Sequence, residues 1–250
     1  MRSRRRLGGF AVAVALASAT VLAACSSSTG GASAPADSKA VTFPSSDGIR
    51  LAGRVFGSGP KGVILAHMKP ADQRSWFAFA DRLASDGYHV LTFDFRGYCP
   101  GGDGGCSQGD ATIANIWKDV LGAIDYMRTT QRVETLSLIG ASMGGTASLI
   151  AAAQPSADVR AVITLSAPTE IEGLVADDTV LQQVTAGKLF IAGVGDASAA
   201  DAAQTLYDES PPPKRVDIEP ADEHGTDLLT GSHGEVIARE IETYLETNGS

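Results

Sequence analysis

Past residue 40 the chain alternates two hydrophobic periods. Short apolar runs at residues 62–66, 88–93, 133–139, 159–165, 188–194 and 215–218 predict strands. The run 62–66 is apolar throughout, as in a strand buried on both faces. Between the runs the spacing changes. Trp76, Phe79, Ala80 and Leu83 recur at i, i+3, i+4, i+7, a helical stripe that Gly87 ends. Ile113, Ile116, Trp117, Val120, Leu121, Ile124 and Met127 stripe a longer helix. Further helices are predicted over residues 143–153 and 199–207. A last one carries Ile237, Ile241, Tyr244 and Leu245. Residues 41–43 and 49–56 flank the turn signal Ser46-Asp47-Gly48 and predict a hairpin. Repeated strand–helix alternation predicts an α/β fold: a mostly parallel, doubly wound sheet with helices on both faces. The hairpin would add antiparallel strands at one edge. No internal repeat is visible.

The first forty residues follow another logic. Arg2, Arg4, Arg5 and Arg6 precede an uncharged run, residues 7–24, and no charge returns until Asp37. A run of this length stands at the threshold for a membrane-spanning helix. Its end points instead to a cleaved export signal. Leu22-Ala23-Ala24-Cys25 resembles the lipobox of bacterial lipoproteins, a resemblance that implies cleavage before Cys25 and a lipid on that cysteine. A plain secretory signal with a chance cysteine is the competing reading, and Arg4-Arg5 is a weak match to twin-arginine export. Residues 26–40 are small and polar without hydrophobic pattern, the composition of a flexible tether with a reach on the order of 20 Å. The expected division is a signal peptide at 1–24, a lipidated cysteine and tether at 25–40, and a globular domain at 41–250, exported and anchored to the cell envelope.

Composition narrows the function classes. Of 250 residues, 44% are hydrophobic and 20% charged, as in soluble globular domains. Lys and Arg number 20 against 29 Asp and Glu. Removing residues 1–24 takes away four arginines and no acid, so the formal net charge falls from −9 to −13. Such a chain lacks the basic face that nucleic-acid phosphates require, and no nucleic-acid partner is expected. Three cysteines without a C-x-x-C pair suit neither a disulfide scaffold nor a structural zinc site.

The chemistry gathers at Gly140-Ala141-Ser142-Met143-Gly144, a G-x-S-x-G directly after one predicted strand and directly before a helix. A serine at so tight a turn stands clear of the C-terminal edge of the sheet, where ligands bind in such folds. The N–H of Met143, at the helix N-terminus, can face a developing oxyanion. The bland alternative is a glycine-rich turn with a capping serine. A serine nucleophile needs a base, and the base needs an orienting acid. Of His67, His89, His224 and His233, His224 fits best, in the loop after the last strand with Gly225 beside it. His233 opens the final helix and reads as a surface residue. For the acid, Asp196 follows the strand 188–194 through Gly195; its competing role is capping the next helix. Asp177, Asp201 and Asp222 are weaker, since none stands immediately after a strand.

Ser142, Asp196 and His224, in that order on alternating strands and helices, resemble the α/β-hydrolase superfamily over residues 41–248. Leu65-Ala66-His67-Met68 stands where the family often has an apolar strand ending in His-Gly. The residue just past that dipeptide usually gives the second oxyanion N–H, which implies Lys69; Met68 in place of glycine departs from the pattern. Asp94-Phe95-Arg96-Gly97-Tyr98 looks like the family's D-x-R-G-x segment, and Arg96 reads as structural. About twenty residues separate the strands 159–165 and 188–194, too few for a large lid. That resembles the compact dienelactone-hydrolase-like branch, although several members of it use cysteine where this chain has Ser142. The resemblance implies an α/β-hydrolase fold without a large lid. It also implies hydrolysis of carboxylic esters, small or surface-presented, through an acyl-enzyme with no metal or organic cofactor. An acyltransferase or peptidase with the same triad, and an inactive surface-displayed binding lipoprotein, remain open alternatives.

The loop 97–109 carries Cys99 and Cys106, expected to pair in an exported protein. It lacks the G-K-[ST] of a phosphate loop, and Asp103 and Asp110 match no calcium loop.

Overall fold

The apolar runs assemble into one eight-stranded sheet of order β1-β2-β4-β3-β5-β6-β9-β10. The structure, a computed structural model, describes residues 1, 35, 37–99 and 105–249. Cys25 and, apart from residue 1, the signal segment lie outside the described residues. In chain order the elements are β1 (Lys39–Pro44), β2 (Arg50–Phe56), β3 (Lys61–Ala66), α1 (Phe77–Ser85), β4 (His89–Phe93), α2 (Trp117–Thr129), β5 (Thr135–Ala141) and α3 (Met143–Ala152). There follow β6 (Ala161–Leu165), a two-stranded hairpin of β7 (Glu170–Ile171) and β8 (Leu174–Val175), α4 (Asp178–Leu181), β9 (Gly187–Gly193), α5 (Ala197–Glu209), β10 (Lys214–Glu219) and α6 (Gly234–Asn248). From β4 to β10 the strands of the large sheet are parallel; β2 pairs antiparallel with both β1 and β4. The doubly wound sheet with an antiparallel edge hairpin is thus as the hydrophobic periods predict.

Alternation along the strands feeds two cores. Ile64, Leu91, Leu138, Val162 and Phe190 pack with residues of α2, α3 and α5 on one face. Val63, Leu65, Val90, Ile139, Ile163 and Ile191 pack with α1 and α6 on the other. The predicted stripe Trp76, Phe79, Ala80, Leu83 is buried against the second core. Each large side chain buried there contributes about 1.5–3 kcal/mol. In α3 every residue from Met143 to Ala151 is buried, the mark of a helix enclosed by its neighbours.

Element ends shift by up to four residues from the sequence reading, and two regions change character. Lys39 and Ala40, read as tether, belong to β1 and pair with Val55 and Arg54, because β2 offers backbone partners that far. The segment between β6 and β9 has no large lid but is not bare: it folds as the β7–β8 hairpin and α4. The hairpin turns on Glu172 and Gly173, both at positive φ (47° and 81°), as a tight two-residue turn requires.

Arg96 ties the loop after β4 to its surroundings. It donates from Nε to Asp119 Oδ1 (2.9 Å) and from Nη2 to the same oxygen (2.6 Å), while its backbone N–H donates to Asp119 Oδ2. Two further bonds reach Asp47. Asp119 is fully buried. Arg96→Ala is expected to lower the unfolding free energy by about 3–5 kcal/mol, since Asp119 then keeps a buried charge without its partner. Urea melts of the two proteins measure it; an unchanged midpoint would refute the role.

Candidate active site

Strands β3, β4, β5, β6, β9 and β10 all end at one edge of the sheet, and the chemistry-bearing residues follow those ends. From β3 the chain moves to β4 on one side and then back across to β5 on the other. The crevice outside β3 and β5 is therefore the topological switch point, where such sheets bind ligands. Ser142 follows β5. The register that pairs Ala66 with Gly140 brings residues 67–69 beside it.

The β5–α3 turn is built by close approach. A Cβ at Gly140 would run into the Gly144 backbone, and one at Gly144 into the Ala66 carbonyl. Ser142 sits between them at φ 48°, ψ −122°, a conformation that costs a non-glycine residue about 1–3 kcal/mol. Its N–H donates to the Leu165 carbonyl (2.8 Å), and its carbonyl accepts from Gly145 (2.9 Å) and Thr146 (3.2 Å). The serine backbone is thus fixed on both sides, while its hydroxyl makes no hydrogen bond to another described residue. Met143 is the first residue of α3, so its N–H lies ahead of every intrahelical acceptor.

Asp196 and His224 meet. His224 Nδ1–H donates to Asp196 Oδ2 at 2.5 Å. Asp196 holds the N-cap position of α5, but its side chain makes no capping bond. The carboxylate is engaged by the imidazole and, more weakly, by the Ser198 hydroxyl (3.3 Å). The Asp196 side chain is 15% exposed and that of His224 46%, which leaves the imidazole open on its far side. Asp177 caps α4 through Val180 N–H. The His233 ring meets the Ser232 hydroxyl beside it, at the N-terminus of α6.

His67 is the opposite kind of histidine. It is fully buried, and Phe95 N–H donates to its Nε2 (3.1 Å). The proton is therefore on Nδ1, which donates to the Met68 carbonyl (2.9 Å). Burial pushes its pKa down to about 4, despite the bond to Met68 and the nearby Asp72 carboxylate. Fixing the Met68 carbonyl also fixes the Lys69 N–H, which points the other way across a trans peptide. The Lys69 ammonium reaches Glu172 at the tip of the β7–β8 hairpin (2.8 Å). Behind the loop, Asp94 accepts from Gln73 N–H and Nε2, and burial raises its carboxyl to about 6 against those bonds.

Cys99 and Cys106 are joined by a disulfide. The two arms of that loop's neck are also bonded, Gly97 N–H to the Gln108 carbonyl and Ser107 N–H to the Tyr98 carbonyl. The Tyr98 ring packs edge-on against His67, centroids 4.6 Å apart.

Three residues at this edge escape a sequence reading. Ser166, just past β6 at φ 53°, accepts the Gly225 N–H on its hydroxyl (3.1 Å). Met68 lies against Gly225, and Glu172 meets Lys69. The serine leaves a hint in its place directly after a predicted strand, and Met68 in standing where the family pattern has glycine, but neither points to residue 225. Among the described residues no group of three His, Cys, Asp or Glu is placed to hold a metal ion.

His67 makes stability depend on pH. Between pH about 4 and 6.5 the unfolded chain takes up a proton that the folded chain excludes, so stability falls as pH drops through that range. The loss reaches about 3 kcal/mol at most. His67→Gln is expected to remove this slope: its stability relative to wild type should improve on going from pH 7.5 to 4.5, measured by urea unfolding. A constant gap would show that His67 does not titrate this way.

Comparison with known proteins bears on the architecture. No curated protein matches the sequence. Among solved structures, an esterase from Pyrococcus furiosus superposes with a TM-score of 0.70 at 16% identity, covering 85% of this chain and 92% of its own. A dienelactone hydrolase from Anabaena variabilis gives 0.69 at 19%, covering 86% and 100%. A thermophilic esterase from Thermogutta terrifontis gives 0.68 at 17%, covering 85% and 100%. The pattern of the alpha/beta hydrolase fold family matches residues 63–218. That match begins in β3 and ends in β10, and so takes in the switch point and the serine turn; the chain belongs to the α/β-hydrolase fold family.

Proposed function

We propose that this chain is a serine hydrolase that cleaves carboxylic esters, with Ser142 as nucleophile, His224 as base and Asp196 as the orienting acid. The observation that carries the reading is the Asp196–His224 bond of 2.5 Å. Asp196 sits where a helix cap would be, yet its carboxylate serves the histidine. Likeness of fold to esterases and a dienelactone hydrolase supports the reaction class.

The chemistry follows from these positions. Asp196 holds the proton on His224 Nδ1, so Nε2 is free to take the Ser142 proton as Oγ attacks the ester carbonyl. The Met143 and Lys69 N–H groups receive the oxyanion. His224 returns its proton to the leaving alcohol. Water then attacks the acyl-enzyme with His224 again as base, and His224 passes that proton to Ser142 Oγ as the acyl–Oγ bond breaks and the acid is released. No step calls on a cofactor. The half-exposed imidazole and the lack of a large lid suit small or surface-presented esters, and no nucleic-acid partner enters the reading.

A fluorophosphonate probe tests it. Wild-type protein should gain the mass of one adduct, and Ser142→Ala none. On para-nitrophenyl esters Ser142→Ala should lower kcat about a millionfold and Asp196→Asn about ten-thousandfold. Equal turnover by wild type and Ser142→Ala would refute the assignment.

The same proposal includes export and a lipid at Cys25, read from Leu22-Ala23-Ala24-Cys25. One acyl chain gives only marginal membrane binding, so a stable anchor needs more than one. Cells fed an alkynyl fatty acid should label the wild-type protein and leave Cys25→Ala unlabelled and soluble. Label retained on Cys25→Ala would refute the anchor.

A further inference from the structure

The His224 turn rests on a sulfur atom. A Cβ at Gly225 would lie 2.5 Å from Met68 Sδ and 3.4 Å from the Ala141 Cβ, so the backbone next to His224 sits directly on the thioether. The next residue, Thr226, is buried and donates its hydroxyl to the same sulfur (3.7 Å). From the other side Ser166 Oγ accepts the Gly225 N–H (3.1 Å). His224 itself is half exposed, and its imidazole has Asp196 as its hydrogen-bonding partner. Gly225 stands against Ala141, the residue before Ser142, so the place of His224 relative to the serine turn depends on how residues 225 and 226 are seated. Met68 meanwhile has its carbonyl held by His67, which fixes the Lys69 N–H.

We propose that Met68 is a positioning residue for His224: its thioether seats the 224–226 turn while its backbone sets the neighbouring oxyanion loop. The inference rests on the hydrolase reading above and names a residue outside the proposed triad. The side chain suits the task. A thioether is a weak acceptor and an adaptable filler, so it takes the Thr226 hydroxyl and still fits under a glycine backbone. Gly225 has φ 59° and no room for a methyl group. One side chain thus couples the oxyanion loop to the base, and a misplacement of about 1 Å at such a point costs about a hundredfold in rate.

The test compares wild type, Met68→Leu, Met68→Gly, Gly225→Ala and the Met68→Gly/Gly225→Ala double variant. Turnover of para-nitrophenyl butyrate gives kcat and KM. NMR of the proton on His224 Nδ1, identified by its loss in Asp196→Asn, reports the imidazole without turnover. Gly225→Ala should lower kcat about a hundredfold, leave KM within about threefold, and shift or broaden the signal. Met68→Leu keeps the volume and should stay within about tenfold of wild type, with the signal retained. The double variant should recover at least about tenfold over Gly225→Ala, because the methyl group enters the space the sulfur left. Should Met68→Gly not fold, Met68→Ala removes the same sulfur and carries the comparison. Losses that simply multiply would overturn the proposal, since the damage from Gly225→Ala would then come from its backbone angle alone. A wild-type protein with the His224 signal but no ester turnover would overturn the hydrolase reading. The seating of the turn would still be read from the signal across the same variants.

Discussion

Helix α3 must cross the ends of β5 and β3 at backbone distance, and the arrangement of the whole site depends on that crossing. Gly140 and Gly144 permit it, since a methyl group at either position would meet main-chain atoms of the neighbouring element. The crossing forces Ser142 into a positive-φ conformation that costs about 1–3 kcal/mol. Burial of α3 holds it there. Met143, Leu149 and Ile150 are among its buried side chains, each worth about 1.5–3 kcal/mol. The packing of the helix thus outweighs the strain of the turn that begins it.

Around this turn the sheet acts as a rigid frame and the loops carry the reactive groups. The two histidines at the edge show how environment divides labour between identical side chains. His67 is buried with both ring nitrogens engaged, so it remains neutral and serves as a strut for the backbone of residues 68–69. His224 is half exposed with one nitrogen engaged, which leaves the other available. Neither role can be read from residue type. Each follows from the strand that the histidine succeeds and from what packs over that strand's end.

The parts of this arrangement legible in the sequence have short-range causes. Apolar runs and helical stripes predict the central strands and most of the helices, because burial on one or two faces imposes a local period. The G-x-S-x-G turn is local as well. Asp196 and His224 become visible because each follows a strand of the same sheet, although their pairing is a contact across 28 positions. What stays hidden has no local period. The strands of the β7–β8 hairpin have two residues each. Lys39 and Ala40 look like the rest of a polar linker and become strand only through β2. Met68 and Ser166 act through contacts with residues 225 and 226, far along the chain.

The edge hairpin has a consequence for orientation. Because β1 and β4 both run antiparallel to β2, β1 points the same way as the parallel strands. The registers Lys39–Val55, Val55–Leu91, Leu91–Ile64 and Ile64–Leu138 set the start of β1 level with the middle of the parallel strands, whereas Ser142 stands four residues past Leu138, at the end where they finish. Four residues of extended chain separate the two levels by about 13 Å along the strands. A pull on the chain upstream of Lys39 would act on the edge strand, four places from β5 in the sheet. Such a load would peel β1 from β2 before it disturbed the register of β3 and β5 that holds residues 67–69 beside Ser142.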